Sequence, residues 1–124
     1  MAAPSILVVD DELLIRDLLY DFFSGQGWDI SVAENGSKAL KILDDKKVDL
    51  VLTDIKMPDM DGMALASEVR ATHPEIPVVL MTGYPSVETA VEALRARIAD
   101  YVIKPFNINQ LMKLVEAQLI RRDT

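Results

Sequence analysis

Leu50-Val51-Leu52-Thr53-Asp54-Ile55-Lys56-Met57-Pro58 carries the pattern that decides the fold. A nearly continuous apolar run, Leu50 to Thr53, ends abruptly in a carboxylate, and a turn towards Pro58 follows. Runs of this kind, rich in Val, Leu and Ile, suit a parallel strand whose two faces are both covered by helices. Three further runs share the form: Ile6–Val9, Val78–Met81 and Tyr101–Ile103. A fifth, Trp28–Ala33, differs. There Trp28, Ile30 and Val32 alternate with Asp29 and Ser31, as in a half-exposed edge strand.

The segments between these runs have helical period. In Glu12–Ser24, Leu14, Leu18 and Phe22 recur four residues apart, as do Ile15, Leu19 and Phe23, which predicts a broad apolar stripe before Gly25 and Gly27. Ser37–Lys47 follows the turn signal Asn35-Gly36. Met63–Thr72 lies between Asp61-Gly62 and Pro74, where a helix should stop. Ser86 can cap Val87–Arg97. A last helix carries Ile108, Leu111, Met112, Val115 and Leu119 on one face. Strict alternation of strand and helix implies right-handed crossovers and helices on both sides of one sheet. The expectation is a single α/β domain over residues 1–124, a (βα)5 doubly wound parallel five-stranded sheet in the order 2-1-3-4-5, with the alternating strand at an edge.

Composition narrows the function. With 124 residues, half of them hydrophobic and 27% charged, the chain reads as one globular domain. No apolar stretch approaches the roughly 18 residues of a membrane span, and the start lacks the basic and apolar regions of a signal peptide. The absence of cysteine removes disulfides, thiol catalysis and thiolate metal sites, and it fits a cytoplasmic protein. A net charge of −7 argues against direct nucleic-acid binding, which needs basic surface against phosphates.

The polar residues at the strand ends are the strongest functional signal. The first run ends in Asp10-Asp11, the third in Asp54, the fourth in Thr82 and the fifth in Lys104-Pro105. In a parallel sheet these ends share one edge, and open α/β sheets bind ligands there, at the switch in strand order. With order 2-1-3-4-5 the switch falls between strands 1 and 3, so Asp10, Asp11 and Asp54 face one another across it. Clustered carboxylates repel, and a hard divalent cation with oxygen ligands, Mg2+, would offset that repulsion. Lys104 adds a fixed positive charge and Thr82 a hydroxyl donor. A nucleophilic carboxylate with cations and a donor around it can carry out phosphoryl transfer. Taken singly, each residue has an ordinary structural role: a helix cap, a turn, a strand end, a solvated lysine. Their shared edge makes coincidence a poor explanation.

At these residues the chain resembles the receiver domain of two-component response regulators, particularly those of transcriptional regulators. The matching stretches are Val8-Val9-Asp10-Asp11-Glu12, Leu52 to Gly62, Met81-Thr82-Gly83-Tyr84 and Asp100 to Phe106. The resemblance implies a flavodoxin-like three-layer sandwich. It also implies that Asp54 is the phospho-acceptor and that Asp10, Asp11, Asp54 and the backbone carbonyl of Lys56 hold Mg2+. Thr82 and Lys104 would contact the phosphoryl group, and Tyr101 would turn inward in the active state. The implied partners are a sensor histidine kinase or phosphotransfer protein, and an output domain or protein on the face of the fourth helix, fifth strand and fifth helix. A homodimer formed on phosphorylation is also implied. No catalysis is implied beyond the domain's own phosphorylation and dephosphorylation. Within the chain there is no DNA-binding helix pair or catalytic output domain, so the expectation is either a single-domain regulator or a piece of a longer one.

Two departures stand out. Arg97-Ile98-Ala99 fills a region where many receivers carry a small Gly-Ala pair, and Lys56 and Tyr84 flank the site at positions that tune hydrolysis in the family. The rival reading is an aspartyl-phosphate phosphohydrolase. Its nucleophile normally ends the first strand in an Asp-x-Asp pattern, whereas Asp10 and Asp11 are adjacent here. A third reading, an interaction module without the chemistry, conflicts with the intact polar set. An EF-hand beginning at Met57 is rejected, because Met57 cannot supply the first carboxylate. His73, the sole histidine, precedes Pro74 at a helix end and has no matching role.

Overall fold

The computed structural model describes residues 3–122. Five strands and five helices alternate: β1 (Ser5–Val9), α1 (Leu13–Gly25), β2 (Asp29–Ala33), α2 (Gly36–Asp45), β3 (Leu50–Asp54), α3 (Gly62–Thr72), β4 (Val78–Thr82), α4 (Val87–Arg95), β5 (Asp100–Ile103) and α5 (Ile108–Arg122). The strands form one parallel sheet in the order β2-β1-β3-β4-β5. The expected architecture and strand order are both present.

Continuous apolar runs produce the layering. Along a strand, successive side chains point to opposite faces, so a run with no polar interruption must be covered twice. Leu7, Val9, Val51 and Leu80 join residues of α2, α3 and α4 in one core. Ile6, Val8, Leu50, Leu52, Val79 and Met81 join Leu19 and Phe23 of α1 and Leu111 and Val115 of α5 in the other. Each fully buried Leu, Ile or Val contributes about 1.5–3 kcal/mol. That weight falls on β1, β3 and β4, which are buried throughout.

The register places the chemistry at the sheet's C-terminal edge. Val9 pairs with Thr53, Asp54 with Met81, and Thr82 with Ile103. Main-chain bonds continue the alignment just past the strands: Asp10 N–H donates to the Ala33 carbonyl, Ile55 N–H to that of Met81, and Lys104 N–H to that of Thr82, at 3.1, 3.1 and 2.7 Å.

Local chemistry sets the helix starts. The side chains of Asn35 and Asp61 accept from the N–H groups of Lys38 and Ala64, at 2.9 and 2.8 Å. Ser86 caps α4 as expected, and Thr89 reciprocates through its own side chain.

Several expectations need correction. The apolar stripe of α1 is narrower than its periodicity suggested. Leu19 and Phe23 are buried, but Leu14 is 82% and Leu18 49% exposed, because α1 meets the sheet along one side only. The run at 101–103 is not covered on both faces. It forms the second edge of the sheet, and Ile103 is 53% exposed. In β2, Val32 is exposed while Ala33 is buried, so the alternation holds only in part. Two helices are shorter than predicted, α2 ending at Asp45 and α4 at Arg95.

The end of α4 has a specific cause. Arg97 N–H donates to the Leu94 carbonyl and Ile98 N–H to that of Ala93, at 3.2 and 3.3 Å. These two bonds are the Schellman closure of a helix, whose pivotal residue must enter the left-handed region and is usually glycine. Here it is Arg97, with φ +55°. An L-residue with a side chain there costs about 1 kcal/mol relative to glycine.

Candidate functional site

The site is built where β1 and β3 stop. Asp10 follows β1 and is fully buried, and Asp54, the last residue of β3, is buried beside it. Each carboxylate is oriented by a nearby backbone N–H, Glu12 to Asp10 Oδ1 at 2.9 Å and Ile55 to Asp54 Oδ1 at 2.8 Å. Lys104 reaches across from the end of β5. Its Nζ donates to Asp10 Oδ2 at 2.8 Å and lies 3.4 Å from both Asp54 Oδ2 and Glu12 Oε1.

Glycine permits the tight turn below this cluster. Gly62 N–H donates to the Ile55 carbonyl at 2.7 Å. A β-carbon on Gly62 would lie 2.1 Å from the Asp54 carbonyl oxygen, so any side chain there would drive into the backbone of the acidic residue. Thr53 Oγ1 braces the same carbonyl, donating at 3.0 Å.

Electrostatics reflect crowding. Burial, then the charge of Asp10, pushes the Asp54 carboxyl above its ordinary value, against the opposing pull of Lys104. Burial also pushes Asp10 up, and here too Lys104 works against it. For Lys104 burial acts downward, but its hydrogen bond to Asp10 and the charges of Asp10, Asp54 and Glu12 outweigh it, leaving the ammonium above its ordinary value. The cluster holds more negative charge than one lysine neutralises. Oxygens of Asp10, Glu12 and Asp54 lie within 4.8 Å of one another, an all-oxygen donor set that fits a hard divalent cation.

The other predicted residues take distinct places. Asp11 is exposed, and it lines a cavity of about 580 Å³ with Asp54, Lys56, Tyr84 and Lys104. Lys56 Nζ sits 4.8 Å from the centre of the Tyr84 ring, a cation–π contact at the cavity wall. Thr82 is buried at the end of β4, and its Oγ1 accepts from Tyr84 N–H at 3.0 Å. Tyr101 stands apart on β5, half-buried, with its hydroxyl 2.9 Å from Thr89 Oγ1 on α4. The structure thus brings Asp10, Asp54 and Lys104 into direct contact and sets Asp11 and Lys56 on the rim. Thr82 lies behind the site and Tyr101 on a neighbouring face.

Glu12 is the residue that sequence reasoning passed over. Its position follows from the turn after Asp10, in which the Asp10 carboxylate accepts from Glu12 N–H and folds the chain back towards Lys104. Three consecutive acids, Asp10-Asp11-Glu12, were the available signal.

Residues 6–116 match the family described as the response regulator receiver domain. The chain belongs to that family. It is a receiver domain of two-component response regulators, a phospho-accepting switch, and a phosphohydrolase is not favoured. Curated relatives include the regulatory protein AtoC of Escherichia coli K12, 47% identical over 95% of this chain and 26% of AtoC. The DNA-binding transcriptional regulator NtrC of the same strain is 40% identical over 90% of this chain and 24% of NtrC. The receiver therefore spans about a quarter of the length of these relatives. Among solved structures, a CheY-like receiver domain protein from Methanospirillum hungatei JF-1 superposes with a TM-score of 0.94 at 29% identity, covering 98% of this chain and 97% of that one. TrrA from Thermotoga maritima, solved in complex with Mg2+-BeF, gives 0.83 at 37% identity over 94% and 98%. Among the described residues no helix of the receiver is long and apolar enough to cross a membrane.

Proposed function

We propose that this receiver takes a phosphoryl group on Asp54, with Mg2+ bound among Asp10, Asp11, Asp54 and the backbone carbonyl of Lys56, and Glu12 close by. The observation that carries this reading is the triad of contacts at the strand ends, with Lys104 Nζ 2.8 Å from Asp10 and 3.4 Å from Asp54. Burial and the charge of Asp10 work against the ionised Asp54 that must attack, so added positive charge favours the reactive carboxylate. Bound Mg2+ would supply that charge and neutralise phosphoryl oxygens. An Asp54 carboxylate oxygen attacks phosphorus in line, the bond from phosphorus to the donor breaks, and the donor leaves with the electron pair. Lys104 holds a phosphoryl oxygen throughout, and the Asp54 Oδ1 contact with Ile55 N–H keeps the other oxygen aimed.

Suitable donors are the phosphohistidine of a sensor kinase or phosphotransfer protein and small acyl phosphates. The receiver catalyses only its own phosphorylation and dephosphorylation. It acts in the cytoplasm and makes no direct contact with nucleic acid.

Coupling to the surface uses Thr82 and Tyr101. The Thr82 hydroxyl accepts a bond in the unmodified state and would turn to donate to the new phosphoryl oxygens. The space it leaves admits Tyr101, whose inward rotation gives up the bond to Thr89. Thr89 also serves the cap of α4, so that helix is released at its start, and the α4–β5–α5 face changes for an output domain, a partner or a second copy.

Intact-mass measurement with Mg2+ and acetyl phosphate tests the site, run beside Asp54→Asn. One phosphoryl adduct, absent in the variant and absent with EDTA, is expected. An adduct that persists in Asp54→Asn would overturn the assignment.

A further inference from the structure

We propose a second ligand site, an oxyanion pocket at the edge of the sheet opposite Asp54. There, beneath the turn between α4 and β5, lies an open cavity of about 280 Å³ lined by Arg70 of α3, Arg97 of the turn and Arg121 of α5. Half of the six arginines in a chain of net charge −7 meet at this one place. Glu75 is the acidic residue among the lining residues, so guanidinium outnumbers carboxylate three to one. Among the described residues neither Arg70 nor Arg97 makes an ion pair.

The backbone supplies an independent observation. Arg97 occupies the pivot of the helix closure at φ +55°, where glycine would fit without strain. The closure itself therefore does not account for arginine, and its side chain contributes to the cavity wall. The lining is polar as well as apolar, because Gln118 is 92% buried and ties α5 to the α4–β5 turn by donating from Nε2 to the Ala99 carbonyl at 3.3 Å. Guanidinium groups present planar forks matched to carboxylate and phosphate oxygens. A cavity of this size suits a small molecule bearing two or more oxyanion charges, a polycarboxylate or a phosphate compound, rather than a protein segment. Three separate elements contribute an arginine, so such a ligand would bridge α3, the α4–β5 turn and α5. The proposal does not depend on phosphorylation of Asp54.

The test is an amide NMR titration of the protein with citrate, with inorganic phosphate and with pyrophosphate. The protein is first stripped of metal over a chelating resin, so that no cation carries an anion to Asp54 and no dissolved chelator competes for the pocket, and ionic strength is matched with chloride. For at least one of the three probes, saturable shifts are expected at Arg97, Ile98, Ala99 and the Gln118 side-chain amide, with Thr82 to Tyr84 unmoved. The probe that saturates separates a polycarboxylate from a phosphate ligand. Arg70→Gln and Arg97→Gly should each weaken binding by about tenfold or more. Arg95→Gln, whose side chain lines a different cavity, should leave it unchanged. Arg97→Gly should also raise the melting temperature without ligand, which separates lost binding from lost folding. No saturable shift with any probe, equal binding by the arginine variants, or shifts centred on Thr82 would each overturn the proposal.

Discussion

Replacing Asp54 by Asn should make the metal-free receiver more stable, although it removes the residue on which its chemistry depends. Oxygens of Asp10 and Glu12 lie within 4.8 Å of Asp54, and at an effective dielectric of about 20 each like-charge contact costs about 3.5 kcal/mol. The side chain of Glu12 is 62% exposed, so solvent screens its share to roughly half. Lys104 at 3.4 Å returns about 5 kcal/mol on the same scale. The charges nearly cancel, and the burial of an ionised group is left over, in keeping with burial as the chief cause of the raised Asp54 carboxyl. Asn keeps the shape and an oxygen for Ile55 N–H, so the variant should gain about 1–3 kcal/mol. Urea unfolding at neutral pH in EDTA should show a midpoint higher by about 0.5–2 M.

The pH dependence has a fixed sign. Because the folded carboxyl sits above 3.8, ionised Asp54 costs stability at higher pH. As pH falls through the raised value, the folded protein takes up the proton first and the cost fades, so wild type and variant should converge on acidification. Mg2+ should stabilise the wild type more than the variant. A less stable Asp54→Asn in EDTA, or a gap that survives acidification, would refute the electrostatic account. Lys104→Met should move the other way in the same assay, losing about 2–4 kcal/mol, because it leaves Asp10 buried without its counter-charge.

Further outcomes follow from single contacts. Gly62→Ala should destabilise the receiver by about 2–3 kcal/mol or more and abolish phosphorylation, since its β-carbon meets the Asp54 carbonyl at 2.1 Å; urea unfolding and intact mass check both. Tyr84→Ala should speed loss of the phosphoryl group several-fold, because Tyr84 and the Lys56 ammonium over its ring narrow the approach for water; a dephosphorylation time course with unchanged rate would reject that role. Thr89→Val removes a partner of both Ser86 and Tyr101 and should cost about 1 kcal/mol while easing the switch, seen as tighter binding of an output partner without phosphorylation.

Much of the architecture could be read from one-dimensional pattern. Unbroken runs such as Leu50–Thr53 demand cover on both faces, helical periods between them supply it, and right-handed crossovers leave few topologies. The ends of those runs told that Asp10, Asp54 and Lys104 would meet at one edge, because parallel strands all finish there, but not that the Thr82 hydroxyl would bond to Tyr84 N–H instead of joining them. Periodicity could not tell how wide a face each helix buries. Leu14 and Leu18 share the spacing of Leu19 and Phe23, yet only the latter pair meets the sheet, since contact depends on where the neighbouring layer stops.

The approach of Glu12 to Lys104 was likewise hidden. It depends on a side-chain to backbone bond within a turn, which residue spacing does not encode. Arg97 marks the same boundary. Its departure from a small residue was visible in the chain, but the positive φ and the company of Arg70 and Arg121 arise from elements distant in sequence. Local composition set the strands, the helices and the shared edge, because those depend on near neighbours. Which carboxylate touches the lysine, which leucines face water and which arginines meet were settled by three-dimensional packing, because those contacts join residues far apart along the chain.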